Sequence, residues 1–312
     1  MSNLLTKSRA ASFRSCQRLH AIKYLKGYRP LEDAGPLRFG SLVHLGLEQA
    51  WEDEPINLPA EADPWDLAKA RPMLNGYVAR WRDHDADTFE VLGVEVPFEC
   101  DLINPDTLAK SKTWRLAGKI DAIVREKATG RVFVCEHKTS SQNFGLGSPY
   151  IARLRMDQQI AIYLLGAKSL GFEPAGVLYD ILGKPRIRPL EVNSRRAVAE
   201  TAAEYELRVA QSIVDDVNSF YQRAEVVRLE NEVLEAMRGI WDQAQQMREA
   251  ERLQRDIPNP EACERWGRLC EFFPVCSGET SLDNERLYQL SATVHPELSV
   301  SEEREVNQRR TA

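Results

Sequence analysis

The sequence has 312 residues, 43% of them hydrophobic, and a formal charge of −6. That length and apolar content can bury a large core, in one large domain or two; the acidic total gives no sign of nucleic-acid binding. No apolar run approaches membrane-spanning length and the start lacks an apolar signal region, so the expectation is a soluble cytoplasmic protein with no membrane association. Six cysteines are too few at this length to suggest a disulfide scaffold in that compartment.

Charge is distributed unevenly. From Met1 to Leu31 there is no acidic residue, while Lys7, Arg9, Arg14, Arg18, Lys23, Lys26 and Arg29 are basic. This is a local positive field on an acidic protein, or equally the solvated face of a terminal helix. Residues 12–27 read as that helix, with Ser12 as N-cap and Gly27 as stop. A second helix is predicted over 38–53, where Phe39, Leu42, Val43, Gly46, Leu47, Ala50 and Trp51 recur at helical spacing. A third runs from Trp65 to Arg82 with a break near Pro72.

Strand signals follow over 88–102, 113–126 and 131–139, the last two flanking a tight turn at Lys127–Gly130. Residues 152–171 have helical periodicity and 175–185 read as one more strand. Two long helices are expected over 194–255, broken near 220–226, as an amphipathic arm. The stretch 263–276 is compact and cysteine-rich. The tail after Ser277 is polar and expected to be loose, with one turn of helix at 284–290. The divisions are thus 1–87, 88–192, 193–258, 259–280 and 281–312.

Charges at the end of apolar strands carry the functional signal, because burying them is costly without partners or a job. If the 113–139 hairpin turns between Ala128 and Thr129, cross-strand partners sum to 257. Asp121 then opposes Glu136, with Cβ atoms about 5 Å apart, and Lys138 shares the Glu136 face by strand alternation. A bulge at Gly130 would shift this register and separate the pair. Two close carboxylates call for a positive partner, and a hard divalent cation such as Mg²⁺ or Mn²⁺ suits oxygen ligands. A surface cross-strand ion pair would explain the same short pattern.

Four motifs in order resemble the PD-(D/E)XK nucleases, and within them the RecB-like group that includes CRISPR-associated and phage-type exonucleases. They are Gly40–His44 in "GSLVH", Gly118–Asp121 in "GKID", Glu136–Lys138 in "EHK", and Gln159–Tyr163 in "QIAIY". The resemblance implies an α/β restriction-endonuclease-like core, a mixed central sheet flanked by helices. It also implies Asp121 and Glu136 as principal metal ligands, with the His137 carbonyl as a further one. His44 would be an imidazole ligand favouring Mn²⁺, Lys138 would serve the attacking water, and Gln159 and Tyr163 would face the phosphate or the lysine. Gln158 is the rival of Gln159 if the helix is rotated. The His137 side chain points away from Glu136. Ile120 stands where the family name has proline.

Cys16 far upstream and Cys263, Cys270 and Cys276 within fourteen residues are four candidates for one site, without the paired C-x₂-C knuckles of a zinc ribbon. Separate buried thiols are the plain alternative. Their distribution resembles the AddB-type iron–sulfur staple of related nucleases, which implies a [4Fe–4S] cluster. Cys263 departs from the usual spacing, and Gly267 occupies the usual first-ligand position. Such a cluster would tie the first helix to the far end of the chain, worth roughly 5 kcal/mol on a loop-entropy basis. Cys100 and Cys135 lie in strands.

The expected function is a metal-dependent DNA exonuclease acting at single-stranded ends in phage or bacterial recombination, repair or processing, with partner proteins in such a complex. Arg9, Arg14, Arg18, Lys23 and Arg29 are its expected backbone contacts. A non-catalytic DNA-end-binding adaptor and an endonuclease of the same fold remain alternatives.

Overall fold

The computed structural model describes residues 3–32, 35–192, 197–265 and 267–299. Strand β1 (Asn3–Leu5) leads into α1 (Lys7–Ser15), α2 (Gln17–His20), a π-helical turn (Ala21–Leu25) and β2 (Tyr28–Pro30). Helices α3 (Gly35–Trp51) and α4 (Pro64–Thr88) follow, then β3 (Phe89–Ile103), β4 (Lys110–Glu126) and β5 (Val132–Ser140). Next come α5 (Pro149–Leu154), α6 (Gln158–Ser169), β6 (Pro174–Gly183), α7 (Ala202–Asp215), α8 (Val217–Phe220), β7 (Tyr221–Val226) and α9 (Glu230–Arg252). The last described part holds β8 (Glu264–Arg265), β9 (Arg268–Leu269), α10 (Phe273–Cys276) and β10 (Tyr288–Leu290).

The central sheet is mixed. Its path is β1-β4-β5-β6-β7, with β3 on the other edge of β4. Pairing is parallel for β1–β4 and β5–β6 and antiparallel for β3–β4, β4–β5 and β6–β7. Strand alternation splits the core in two. Ile123 and Val134 face α1, α6 and α9 with Phe13, Ile160 and Ala244. Ala122, Phe133 and Cys135 face the other way, toward Trp51 of α3. The α3–α4–α7 layer has its own cluster around Leu47, Leu74 and Val209. This is an α/β fold with helices on both faces of a mixed sheet.

Several expected elements are redrawn. The first helix begins at Lys7, because the Thr6 hydroxyl accepts from the Arg9 amide as N-cap (3.1 Å), and it breaks at Cys16, whose backbone is extended. Gly27 does stop this region, at φ +77°. Pro72 lies inside an unbroken α4. The expected helix over 152–171 is two, and Asp157 caps the second by accepting from the Gln159 amide (2.9 Å).

The expected helical arm is no arm. The break near 220–226 is β7, a strand of the central sheet, and α9 buries Ile240, Ala244 and Met247 in the main core. Amphipathic spacing in 230–252 records this sheet-facing stripe rather than a projecting helix. The tail after Ser277 is not loose over its described part: Tyr288–Leu290 pairs antiparallel with β2, in place of the expected turn of helix. Residues 300–312 of the tail lie outside the described residues.

Candidate active site

The β4–β5 hairpin keeps the expected register. Ala122 pairs with Cys135, Ile123 with Val134, Val124 with Phe133 and Arg125 with Val132, each pair summing to 257. Gly130 takes φ +73° within the turn without shifting it. Paired bonding ends at Ala122, one residue before Asp121. There the Asp121 carboxylate accepts the His137 amide hydrogen (Oδ2, 2.7 Å). The ladder thus opens where the carboxylates begin, and the freed amide of His137 holds one of them.

Glu136 and Lys138 lie two apart on β5. The Lys138 ammonium donates to Glu136 Oε1 and, at 3.1 Å, to Gln159 Oε1. Gln159 Nε2 donates to Glu136 Oε1 (2.6 Å). Gln159 is set at the start of α6 by the Asp157 cap. Gln158 turns away, toward Gly239 of α9, which decides between the two glutamines. Tyr163, one turn on, lies within hydrogen-bonding reach of Gln159 and meets Phe98 edge-on (6.1 Å). Gly118 is required here, since a Cβ would stand 2.7 Å from the Phe98 ring. Gly40 borders open space, with nothing within 4 Å of an added Cβ.

These groups share a cleft of about 490 Å³. It is lined by His44, Asp121, Lys138, Gln159 and Tyr163, and also by Lys7 and Glu95. The His44 Nδ1 stands 3.8 Å from Asp121 Oδ2. Glu48, four residues from His44 on the same helix flank, also lines the cleft, as does Glu95, which the sequence pattern does not single out. Glu95 sits between the pairs Val94–Ala122 and Val96–Ile120, opposite Asp121, at φ +50° and ion-paired with Lys119. Its signal was cryptic, because an outward glutamate in a strand looks like any solvated one. Glu48, one turn beyond His44 on α3, was at least legible by its spacing.

The electrostatics mark the cleft as unfinished. Burial pushes the Asp121 and Glu136 carboxyls up to about 7, against the opposing pull of Lys138. Lys138 is driven down by burial, but Glu136 and Asp121 outweigh that and hold it above its ordinary value. Burial, then Lys138, lowers His44, which leaves a neutral imidazole able to act as a ligand. Glu136 Oε2 is buried with no hydrogen-bond partner. An orphaned carboxylate oxygen beside a second buried carboxylate suits a hard cation. Among the described residues, no three His, Cys, Asp or Glu side chains are gathered closely enough to hold a metal ion.

Behind the cleft, the His137 side chain points to the other sheet face, as alternation requires. It packs on Trp51 and Tyr77, and burial lowers its pKa to about 3. There Asp180 accepts from Tyr77 (2.5 Å) and Arg223 (2.8 Å), and Arg223 also holds Asp85.

The basic N-terminal stretch divides in two. Arg9 is only 3% exposed; it pairs with Glu251 at 3.0 Å and lies over the Trp114 ring. Arg18 pairs with Asp256, Lys23 with Glu271, and Arg29 donates to three carbonyls. These four expected DNA contacts all have partners within the chain; Arg9 is buried, while Arg18 and Lys23 stay partly exposed. Arg14 is exposed.

The four candidate cysteines border one pocket, which spacing alone could not show, although they are not gathered closely enough to share a metal ion. Cys16, Cys263, Cys270 and Cys276 are free thiols lining one small apolar pocket with Leu19, Ile22 and Phe272. The β8–β9 hairpin pairs Glu264 with Leu269, so Cys263 and Cys270 face each other across it, and the Cys270 amide donates to the Cys263 carbonyl (2.7 Å). Gly267 takes φ +71° in that turn. The wide Cys263–Cys270 spacing is therefore the arc of a hairpin. Cys135 is buried in the core, as its strand position implied.

Known proteins offer a modest comparison. The crystal structure of SSO0001 is 18% identical with a TM-score of 0.32, covering 70% of this chain and 79% of that one. A "putative exonuclease" from Eubacterium rectale is 11% identical with a TM-score of 0.45, covering 86% and 89%. No curated protein matches the chain. Among the described residues no helix is long and apolar enough to cross a membrane. The model of the PD-(D/E)XK nuclease superfamily matches residues 5–277, and the chain belongs to that superfamily.

Proposed function

We propose that this nuclease is a metal-dependent DNA exonuclease that hydrolyses phosphodiester bonds at single-stranded ends. One observation carries the reading. Asp121, Lys138 and Gln159 line one cleft, and the buried Glu136, bonded to Lys138 and Gln159 beneath it, is left with an orphaned oxygen. Asp121, Glu136, His44 and the His137 carbonyl would hold Mg²⁺ or Mn²⁺ after the side chains draw in, since as they stand they are not gathered closely enough to share one ion. When bound, such an ion polarises a phosphate and lowers the pKa of a coordinated water.

The chain's own residues do the rest. Lys138, kept as an ammonium by its carboxylate neighbours, supplies positive charge and donated hydrogen bonds to the attacking water or to the phosphate as charge builds. Gln159 fixes Lys138 against Glu136, which limits both to one arrangement. Tyr163 forms the cleft wall and presents its hydroxyl beside Gln159. The roles of these residues follow from the family resemblance and from their convergence.

The test is digestion of 5′- and 3′-labelled single- and double-stranded oligonucleotides and of covalently closed circular DNA, with Mg²⁺ and Mn²⁺ compared. Stepwise shortening of single strands is expected, with none for Lys138→Ala. Linear DNA left uncut would end the reading, and efficient cutting of closed circles would replace it with an endonuclease.

The four thiols belong to the same proposal as ligands of a [4Fe–4S] cluster. The support is their shared apolar pocket, which holds no carboxylate among its lining. Anaerobically purified protein should be brown with absorbance near 400 nm, and Cys270→Ala should bleach it. A colourless protein with stoichiometric zinc would overturn this part alone.

A further inference from the structure

We infer that Lys7 is a substrate-positioning residue that holds a backbone phosphate of the nucleic acid beside the reacting one, with Arg14 extending the same track outward. The inference rests on the nuclease reading of the cleft and names a contact which that reading leaves open. Three cleft-lining lysines matter here: Lys7, Lys119 and Lys138. Lys138 is engaged by Glu136 and Gln159, and Lys119 by Glu95 and the Ser299 carbonyl. No hydrogen bond or ion pair engages the Lys7 ammonium among the described residues.

Asp157 and Glu136 attract it through space, but each is bonded elsewhere. Glu297, in the same cleft, accepts from Thr6 at 2.6 Å and stands 3.3 Å from His295. Glu95 is held by Lys119. Burial lowers Lys7, and Lys138 lowers it further as a neighbouring like charge, against the pull of Asp157 and Glu136. A half-buried cation near another cation, with no acid bonded to it, is stabilised by an anion that comes between them. A polyanion entering the cleft supplies that anion.

Geometry extends the argument. Lys7 opens α1, which the Thr6 hydroxyl caps. Arg14 lies seven residues on, about two turns and about 10 Å along the same helix face. It is exposed, and it is close enough to Lys7 to add to the positive field there. The basic face of α1 therefore reduces to two residues, of which Lys7 lines the cleft with Lys138, while Arg9 is turned inward.

Fluorescence anisotropy of a labelled single-stranded oligonucleotide tests this with the full chain in EDTA, where no cutting occurs, across a potassium chloride series. Lys7→Ala is expected to weaken binding about three- to tenfold and to reduce the log–log salt slope by about 0.7 to 1, the signature of one lost phosphate contact. Lys7→Arg should retain the affinity and slope, which separates a lost contact from a lost fold. Lys168→Ala, on the exposed end of α6, should change neither. Under cutting conditions Lys7→Ala should raise KM far more than it lowers kcat.

Wild-type affinity and slope in Lys7→Ala overturns the inference, as does a wild-type protein that binds no oligonucleotide. The two readings fail separately. If Lys138→Ala is dead and Lys7→Ala binds normally, only Lys7 is misassigned. If wild type binds through Lys7 but cuts nothing, only the nuclease reading falls.

Discussion

The two faces of β5 make a natural contrast. On one face, Lys138 lines a cleft with Asp121, Gln159 and His44, and the buried Glu136 bonds to Lys138 and Gln159 beneath it. On the other, His137 packs in a layer where Asp180, Arg223, Asp85, Tyr77 and Trp51 bond to one another. Both faces bury charge, and each leaves a buried carboxylate oxygen without a hydrogen bond, Glu136 Oε2 on one and Asp180 Oδ1 on the other; they differ in that Arg223 spans both Asp180 and Asp85, whereas Lys138 bonds Glu136 alone of the two cleft carboxylates. The cleft has two carboxyls raised to about 7, an orphaned oxygen and a neutral imidazole. Buried charge that is internally paired keeps a fold together; buried charge left unbalanced is ready for a ligand.

The largest expected effect is on the open face. Lys138→Ala or Glu136→Gln should lower the cleavage rate by about 10³-fold or more, measured in single turnover, with the fold intact by circular dichroism. On the other face the balance reverses. Arg223→Ala strands Asp180 and Asp85 and should cost about 3–5 kcal/mol, read as a lower urea midpoint. If that variant instead keeps full stability and loses only cleavage, the contrast between the faces is wrong.

A third test uses pH. The folded chain holds the Asp121 and Glu136 protons more tightly than the unfolded chain does. Their contribution therefore costs stability progressively as pH rises from about 4 to about 7, and the cost persists above that. Asp121→Asn should match wild type near pH 4 and exceed it at pH 8 by a few kcal/mol at most, given about 1.4 kcal/mol per pKa unit. Urea titrations at both values check this. Added Mn²⁺ should raise the melting temperature of wild type but scarcely that of Asp121→Asn. The smallest effect is expected at His137, whose amide, not its ring, serves the cleft. His137→Gln should keep cleavage within about tenfold while costing about 1–2 kcal/mol of stability.

The candidate site was more legible than the architecture around it. The residues 118–121, 136–138 and 159–163 stand in short elements whose periodicity is local, so their relative directions followed from alternation and one turn. The hairpin register held because a four-residue turn at Lys127–Gly130 leaves the two hydrophobic runs facing each other in only one way. Residues 220–226 were misread because a strand inserted between two amphipathic helices looks like a linker until its partner β6 is known. The basic N-terminal stretch was misread for a similar reason: Glu251, Asp256 and Glu271, which neutralise Arg9, Arg18 and Lys23, lie more than two hundred residues away.

What the chain's residue order determined alone is what depends on near neighbours: the shared Glu136–Lys138 face, the β4–β5 register up to a bulge at Gly130, and a helical turn leading to Tyr163 with Gln158 and Gln159 as rivals. Only the folded structure decided which cations are free, which cysteines face one another and which strand completes the sheet. Those outcomes depend on partners distant along the chain, and charge pairing and burial are set by distance in space rather than by separation in sequence.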